Sequence, residues 1–269
     1  MQSRVREIAQ SQGGVLRRLE LLRAGISLTA IQEAVDSGIL LRHPRGVYAL
    51  PEASDWWVEA RRRGAELGCV SAADARGLWV LHRPGQVHAA VTNSRISGPF
   101  VKHRSRARCS LLEVVLQCLR CLPELEALVV AESSVALRRL SLAELRAATV
   151  GHRNARIRSI VDRINPASES ILETVARYLL ENAGYQVQVQ KYVPGIGRLD
   201  LLVDGVLGVE LDGREHHSSA HAFDEDRRRN NQCVINGIPT LRIKYSLLIF
   251  HAEEFLALVA QAMQPRNRQ

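Results

Sequence analysis

Asp200 is followed after nine residues by Glu210, with Asp212 two positions further on. The apolar residues around these acids decide where they point. Leu199, Leu201 and Val203 share one parity, and Leu207, Val209 and Leu211 share one parity on the next segment. A hairpin buries both rows on one sheet face only if its connection is odd-membered, such as a three-residue loop with Gly205 left-handed. That register puts Asp200 on the opposite face with Glu210 and Asp212 beside it. A two-residue turn would instead separate Asp200 from Glu210 and waste an apolar row. Residues directly opposed in such a ladder have Cβ atoms about 5 Å apart, where like charges repel. A divalent cation removes the repulsion, and carboxylates with a backbone carbonyl and waters suit Mg²⁺ (or Mn²⁺). Phosphodiester hydrolysis uses such a centre to polarise the phosphate and to lower the pKa of a water. Asp200 and Glu210 are therefore the expected metal ligands, with Asp212 as a further acid. The alternative is a solvated face bearing three acids. It is disfavoured because Glu210 lies inside an apolar run, where a charge rarely goes unpartnered.

The order Asp200, then Glu210-Leu211-Asp212-Gly213, then His216-His217 and Phe223-x-x-Asp226-x-Arg228 resembles the very-short-patch-repair-endonuclease-like domains of the PD-(D/E)XK superfamily. The resemblance implies a restriction-endonuclease-like α/β sandwich in which Asp200 and Glu210 hold the metal and Glu173, on the preceding helix, assists. Glu173 reads equally as a capping residue at N3 of a helix opened by Ser170. The superfamily's lysine two residues after the glutamate is Asp212 here. His216 is the expected replacement, as general base or phosphate contact, with Arg228 and Lys244 as other candidates. His216, His217 and His221 also admit reading as a metal trio, although no thiol or fourth ligand accompanies them. Asp224–Arg228 and Glu225–Arg229 have the spacing of helix-surface ion pairs. Over nearly its whole length the chain resembles actinobacterial proteins that join an AbiEi-type antitoxin winged helix to this nuclease domain.

The elements that would position the acids follow from periodicity. From Ser168 to Met263 the expected order is helix Ser170–Ala183, strands Tyr185–Gln190, Arg198–Val203 and Val206–Asp212, a charged helix Phe223–Ile235, strand Thr240–Tyr245 and helix Ala252–Met263. That is a small α/β sandwich on a mixed sheet. At the other end, Val5, Ile8 and Ala9 mark one amphipathic helix, and Val15, Leu16, Leu19 and Leu22 mark a second. Ser27 caps a third, Leu28–Asp36, with Gly38 at its C′ position. Strands at Ile39–Leu41 and Val47–Leu50 flank the turn His43-Pro44-Arg45-Gly46. This is the winged helix-turn-helix plan, which puts the third helix in the major groove and the wing on the backbone. Thr29 and Gln32, with Glu33 and Asp36, would face the bases, and Arg42 and Arg45 would lie on the wing. A winged helix used for protein contacts is the alternative, because Glu33 and Asp36 leave the reading helix without basic character.

Between the two lies a mixed stretch. Residues 56–67, 71–78, 111–122 and 124–137 look helical, Val87–Thr92 and Phe100–His103 look like strands, and Ser141-Leu-Ala-Glu144 is a capping box. It reads as a scaffold that adds basic surface and carries no chemistry. Cys118-Leu-Arg-Cys121 has metal or redox spacing, but no second pair follows it. Leu111, Leu112, Val115, Leu116 and Leu119 make that stretch an amphipathic helix, so its cysteines read as buried.

The chain has 269 residues, which suggests about two domains. The expected organisation is α/β (α+β overall): 1–52 a winged helix-turn-helix, 53–165 a mixed α/β linker domain, and 166–269 the nuclease-like sandwich. Residues 1–165 hold 25 Lys+Arg against 15 Asp+Glu, and residues 166–269 hold 11 against 13. A basic front half suits DNA, and the acidic surplus behind it suits cation-binding carboxylates. Five cysteines are too few and too scattered for a disulfide framework. No apolar run is long enough to span a bilayer and the first residues lack a signal-peptide core, so the expectation is a cytoplasmic protein with no membrane contact. The expected function is a DNA-binding, Mg²⁺-dependent endonuclease, with a homodimer as a further expectation. The rivals are an antitoxin-like regulator with an inactive nuclease fold and a cognate toxin as partner, and a nuclease directed at RNA.

Overall fold

The computed structural model of the chain describes residues 2–105, 109–212, 228 and 231–264. The N-terminal unit contains α1 (Gln2–Ser11), β1 (Val15–Arg17), α2 (Arg18–Arg23), α3 (Leu28–Asp36), β2 (Leu41–His43) and β3 (Val47–Ala49). Ser27 caps α3 as its sequence requires, its Oγ accepting the Ala30 N–H at 3.1 Å, and left-handed Gly38 (φ 74) follows the helix end. The helix expected from Val15 is different. Gly13 and Gly14 are both left-handed (φ 71 and 81), and Val15–Arg17 is a strand pairing antiparallel with β3, giving sheet order β1-β3-β2. Val15 and Leu16 serve two cores: Val15 packs with the middle unit and Leu16 with α1 and α3. A helix would have set both on one stripe with Leu19 and Leu22, which are exposed instead (50% and 38%).

The middle unit follows with α4 (Asp55–Arg62), β4 (Glu66–Leu67), α5 (Cys69–Ala75), β5 (His88–Val91), β6 (Val101–Arg104), α6 (Leu111–Cys121), α7 (Glu124–Ala136), α8 (Leu142–Ala148) and α9 (Ala155–Asp162). The helix expected through Leu67 stops at Arg62, because the chain turns at Gly64 (φ 107) and Glu66–Leu67 pairs with β5. The resulting sheet has order β4-β5-β6. Ser141 and Glu144 form the expected capping box. Arg61 is buried between the first two units: it pairs with Glu20, donates to the Ala65 carbonyl at 3.0 Å, and its own carbonyl accepts from Arg17 at 2.7 Å.

The C-terminal unit contains α10 (Ile171–Asn182), β7 (Val187–Val193), β8 (Gly197–Val203), β9 (Leu207–Asp212), β10 (Thr240–Lys244), α11 (Tyr245–Phe250) and α12 (Ala252–Met263). Its sheet order is β10-β9-β8-β7, with β10 parallel to β9 and the other pairs antiparallel, so the sheet is mixed. Leu201, Val203, Leu207 and Val209 face α10, α11 and α12 in one apolar core, which Val129 of α7 joins. A smaller cluster of Ile196, Leu199, Leu202 and Cys233 forms apart from it. The charged helix expected over Phe223–Ile235 falls largely outside the described residues, of which 228 and 231–235 are helical. The short helix α11, beginning at Tyr245, is an addition to the expected order.

Candidate active site and nucleic-acid interface

The hairpin β8–β9 pairs Leu201 with Val209, Leu202 with Gly208 and Val203 with Leu207. Its loop is therefore Asp204-Gly205-Val206, with φ 48 at Asp204 and 74 at Gly205. One further step in this register sets Glu210 across from Asp200. Regular pairing ends before that step, where the Leu211 N–H donates to Asp200 Oδ2 at 2.8 Å. Asp200 and Glu210 then line one open cleft of about 460 Å³ with Glu173, Gln190, Arg198 and Arg228. One sequence expectation fails here. Leu199 does not lie behind the acids with Leu201; it packs with Ile196, Leu202 and Cys233. The alternation breaks at Asp200, where pairing with β7 also skips a step opposite Gln190.

Glu173 reaches the cleft from the first turn of α10 and is only 4% exposed. The capping contact expected of it is present in part, since Ser170 caps the Glu173 N–H while the Glu173 carboxylate takes the N–H of Glu169 and not that of Ser170. Ser170 Oγ donates to its Oε1 at 2.8 Å and accepts the Glu173 N–H at 3.2 Å. Oε2 accepts the N–H of Glu169 at 3.0 Å and Gln190 Nε2 at 3.0 Å, and the same Nε2 donates to Asp200 Oδ1 at 3.3 Å. One amide thus straps two carboxylates together. Gln190 is left-handed (φ 51), a conformation that costs energy outside glycine and marks a position held by its surroundings.

Burial pushes the Glu173 carboxyl above the ordinary glutamate value. The Asp200 charge adds to the rise, while the donors from Glu169, Gln190 and Ser170 oppose it. With the folded value raised, the folded chain keeps a proton that the unfolded chain has released. This group's contribution to metal-free stability therefore falls as pH rises from the ordinary 4.5 through the raised value. Asp200→Asn is expected to move the Glu173 midpoint down, read as the carboxyl carbon shift in an NMR titration. An unmoved midpoint would mean that the two groups do not sense each other.

Asp212 is half-buried and pairs in register with Lys244 of β10, as Glu210 does with Arg242. Both cations are therefore ladder neighbours of the acids. Arg228 is exposed and donates to the Gly195 carbonyl at 3.3 Å, and Arg198 pairs with Glu169 at 2.8 Å on the same cleft wall. His216, with His217, His221 and the segment Phe223–Asp226, lies outside the described residues. On α3, Thr29, Gln32, Glu33 and Asp36 are exposed, while Ala30, Ile31 and Ala34 are buried. Gln32 Nε2 donates to Asp36 Oδ1 at 2.8 Å. Arg42 and Arg45 are exposed on the wing, and Arg45 is left-handed (φ 63) at its tip.

Sequence reasoning missed Gln190, since nothing in the order of residues marks a glutamine for a left-handed turn. It also took both residues of Cys118-Leu-Arg-Cys121 as buried. Cys118 is buried, whereas Cys121, at the last position of α6, is exposed and turns its sulfur toward His88. His88 lies on β5, 33 positions earlier in the chain, which no local spacing signals. Among the described residues no helix is long and apolar enough to cross a membrane. A search of curated proteins finds no match to the chain. Residues 3–51, which hold the winged helix, match the family described as transcriptional regulator, AbiEi antitoxin.

Proposed function

We propose that the chain is a DNA-binding protein of the regulator type whose C-terminal unit hydrolyses phosphodiester bonds with the help of a divalent cation. The observation that carries this reading is the opening of Asp200 and Glu210 into one cleft beside buried Glu173. A set of carboxylate oxygens fits Mg²⁺ or Mn²⁺ and lacks the softer donors other metals prefer. Asp200 and Glu210 would hold the ion. When bound, it supplies polarisation of the phosphate and a more acidic water. Residues of the chain do the positioning. The Leu211 amide and Gln190 fix Asp200, Gln190 and Ser170 fix Glu173, and Arg198 and Arg228 line the wall where phosphate oxygens would lie. Lys244, beside Asp212, supplies the positive charge that the superfamily draws from its lysine, and His216 is proposed as general base. Incubation of supercoiled plasmid with Mg²⁺ or Mn²⁺ tests the reading: nicked or linear product is expected, suppressed by a chelator. Intact DNA and RNA under both metals would overturn it.

The second reading is a regulator that does not cleave. Two observations favour it: the match over residues 3–51, and the placing of Arg242 and Lys244 next to Glu210 and Asp212, where they offset the acids without a metal. The same plasmid experiment separates the two. Both readings place DNA on the basic front half. Arg42→Ala and Arg45→Ala are expected to weaken binding to all sequences alike and to flatten its salt dependence, since backbone contacts carry no base information. Gln32→Ala should change sequence preference. The opposite pattern, measured by anisotropy over several duplexes and salt concentrations, would remove α3 as the reading helix.

A further inference from the structure

We propose that Cys69, His88, His103 and Cys121 form a structural zinc site that staples the middle unit. Their four ligand atoms all lie within 4.8 Å of one another. His88 Nδ1 and His103 Nε2 are 3.1 Å apart, and Cys121 Sγ is 3.9 Å from His88 Nδ1. Tetrahedral zinc, with bonds of about 2.05 Å to nitrogen and about 2.3 Å to sulfur, sets its ligand atoms roughly 3.3 to 3.8 Å apart. The four side chains are thus already gathered at coordination spacing, and two thiols with two imidazoles are a zinc donor set.

Independent features of the backbone point the same way. Cys69 is left-handed (φ 46), a strained state for a residue with a side chain, and its N–H is tied to Gln117 Oε1 at 2.8 Å. Gly68 before it packs so closely on β5 that a Cβ would stand 2.9 Å from the Ala90 nitrogen. This held turn carries the fully buried Cys69 to the histidine pair. The two imidazoles stack at 5.3 Å with 20° between their planes, and each contributes one ring nitrogen to the four-atom group.

Four protein ligands leave no open position for water or substrate, so the role is structural. The ligands open α5, start β5, lie within β6 and end α6, with eighteen, fourteen and seventeen residues between them. β4, β5 and β6 are only two, four and four residues long, too short to hold this sheet together by their ladder alone. The full-length protein, purified without chelator or histidine tag, should carry about one zinc per chain by elemental analysis. Exchange for Co²⁺ should give the visible bands of tetrahedral cobalt with a thiolate charge-transfer band. Cys121→Ser, at an exposed position, should lose metal and bands and melt lower, while Cys118→Ser and Asp200→Asn should keep both. A protein without stoichiometric zinc that gives no tetrahedral cobalt spectrum when reduced overturns the proposal. So does a Cys121→Ser variant with the metal content and spectrum of the parent.

Discussion

Asp200→Asn and Glu210→Gln should each lower Mg²⁺-dependent cleavage by about a hundredfold or more, roughly 2.7 kcal/mol of barrier, and leave the fold intact. Each change keeps the shape of the side chain and removes the charge that would hold the cation in the proposed nuclease. The amide introduced by Asp200→Asn retains a carbonyl oxygen for the Leu211 N–H, so the hairpin keeps its most important side-chain bond. The same change relieves the repulsion that Asp200 exerts on buried Glu173, so the metal-free melting temperature should not fall. Mg²⁺ should raise the melting temperature of the parent and much less that of either variant, because only a formed site links binding to folding. DNA affinity should hardly change, since residues 1–165 carry the basic surplus. Plasmid cleavage, thermal melts with and without Mg²⁺, and duplex anisotropy read the three effects separately. Folded variants that cleave at the parent rate would end the nuclease reading.

What the sequence revealed depended on whether a residue's role was local. The hairpin register was readable because two apolar rows of fixed parity and one glycine leave a single odd-membered turn, and the structure has that loop. α3 was readable because Ser27 and Gly38 carry their capping chemistry with them. β1 was hidden, since Val15 and Leu16 mimic one helical stripe while filling two cores on either side of a strand. Leu199 misled for a related reason: parity holds only where pairing is continuous, and pairing breaks beside it at Asp200. Gln190 and Cys121 act through partners brought together by the tertiary fold, so neither leaves a mark in local spacing. The sequence parity brings Asp200 and Glu210 to one cleft, although Asp212 is not among its lining residues, and the contacts that hold the two acids in position left no mark in the sequence.

Arg177→Leu is expected to cost about 3–5 kcal/mol of stability, the penalty for stranding a buried charge. Arg177 of α10 is 2% exposed and pairs with Glu132 of α7, which is fully buried. Glu132 also accepts Thr174 Oγ1 and the Asn165 N–H, each at 2.7 Å. Without the guanidinium, only these two neutral donors would remain around its charge. The half-buried Glu181, at 3.0 Å, is the other anion on Arg177 and can turn to water, but Glu132 cannot. A melting temperature lower by on the order of 10 °C is the expected reading for a chain of this size. Glu132→Gln combined with Arg177→Met should recover much of the loss, because Gln keeps an acceptor for the two donors and no charge stays buried. A double-mutant cycle then isolates the pair. The consequence reaches the cleft, since Glu173 lies one helical turn from Arg177 on α10, and α7 fixes that helix through Arg177 and Thr174. Below its melting temperature, Arg177→Leu should therefore weaken the proposed cleavage more than DNA binding, which the proposed function assigns to the front half. A variant that melts with the parent would show that this network does not hold α10 to the middle unit.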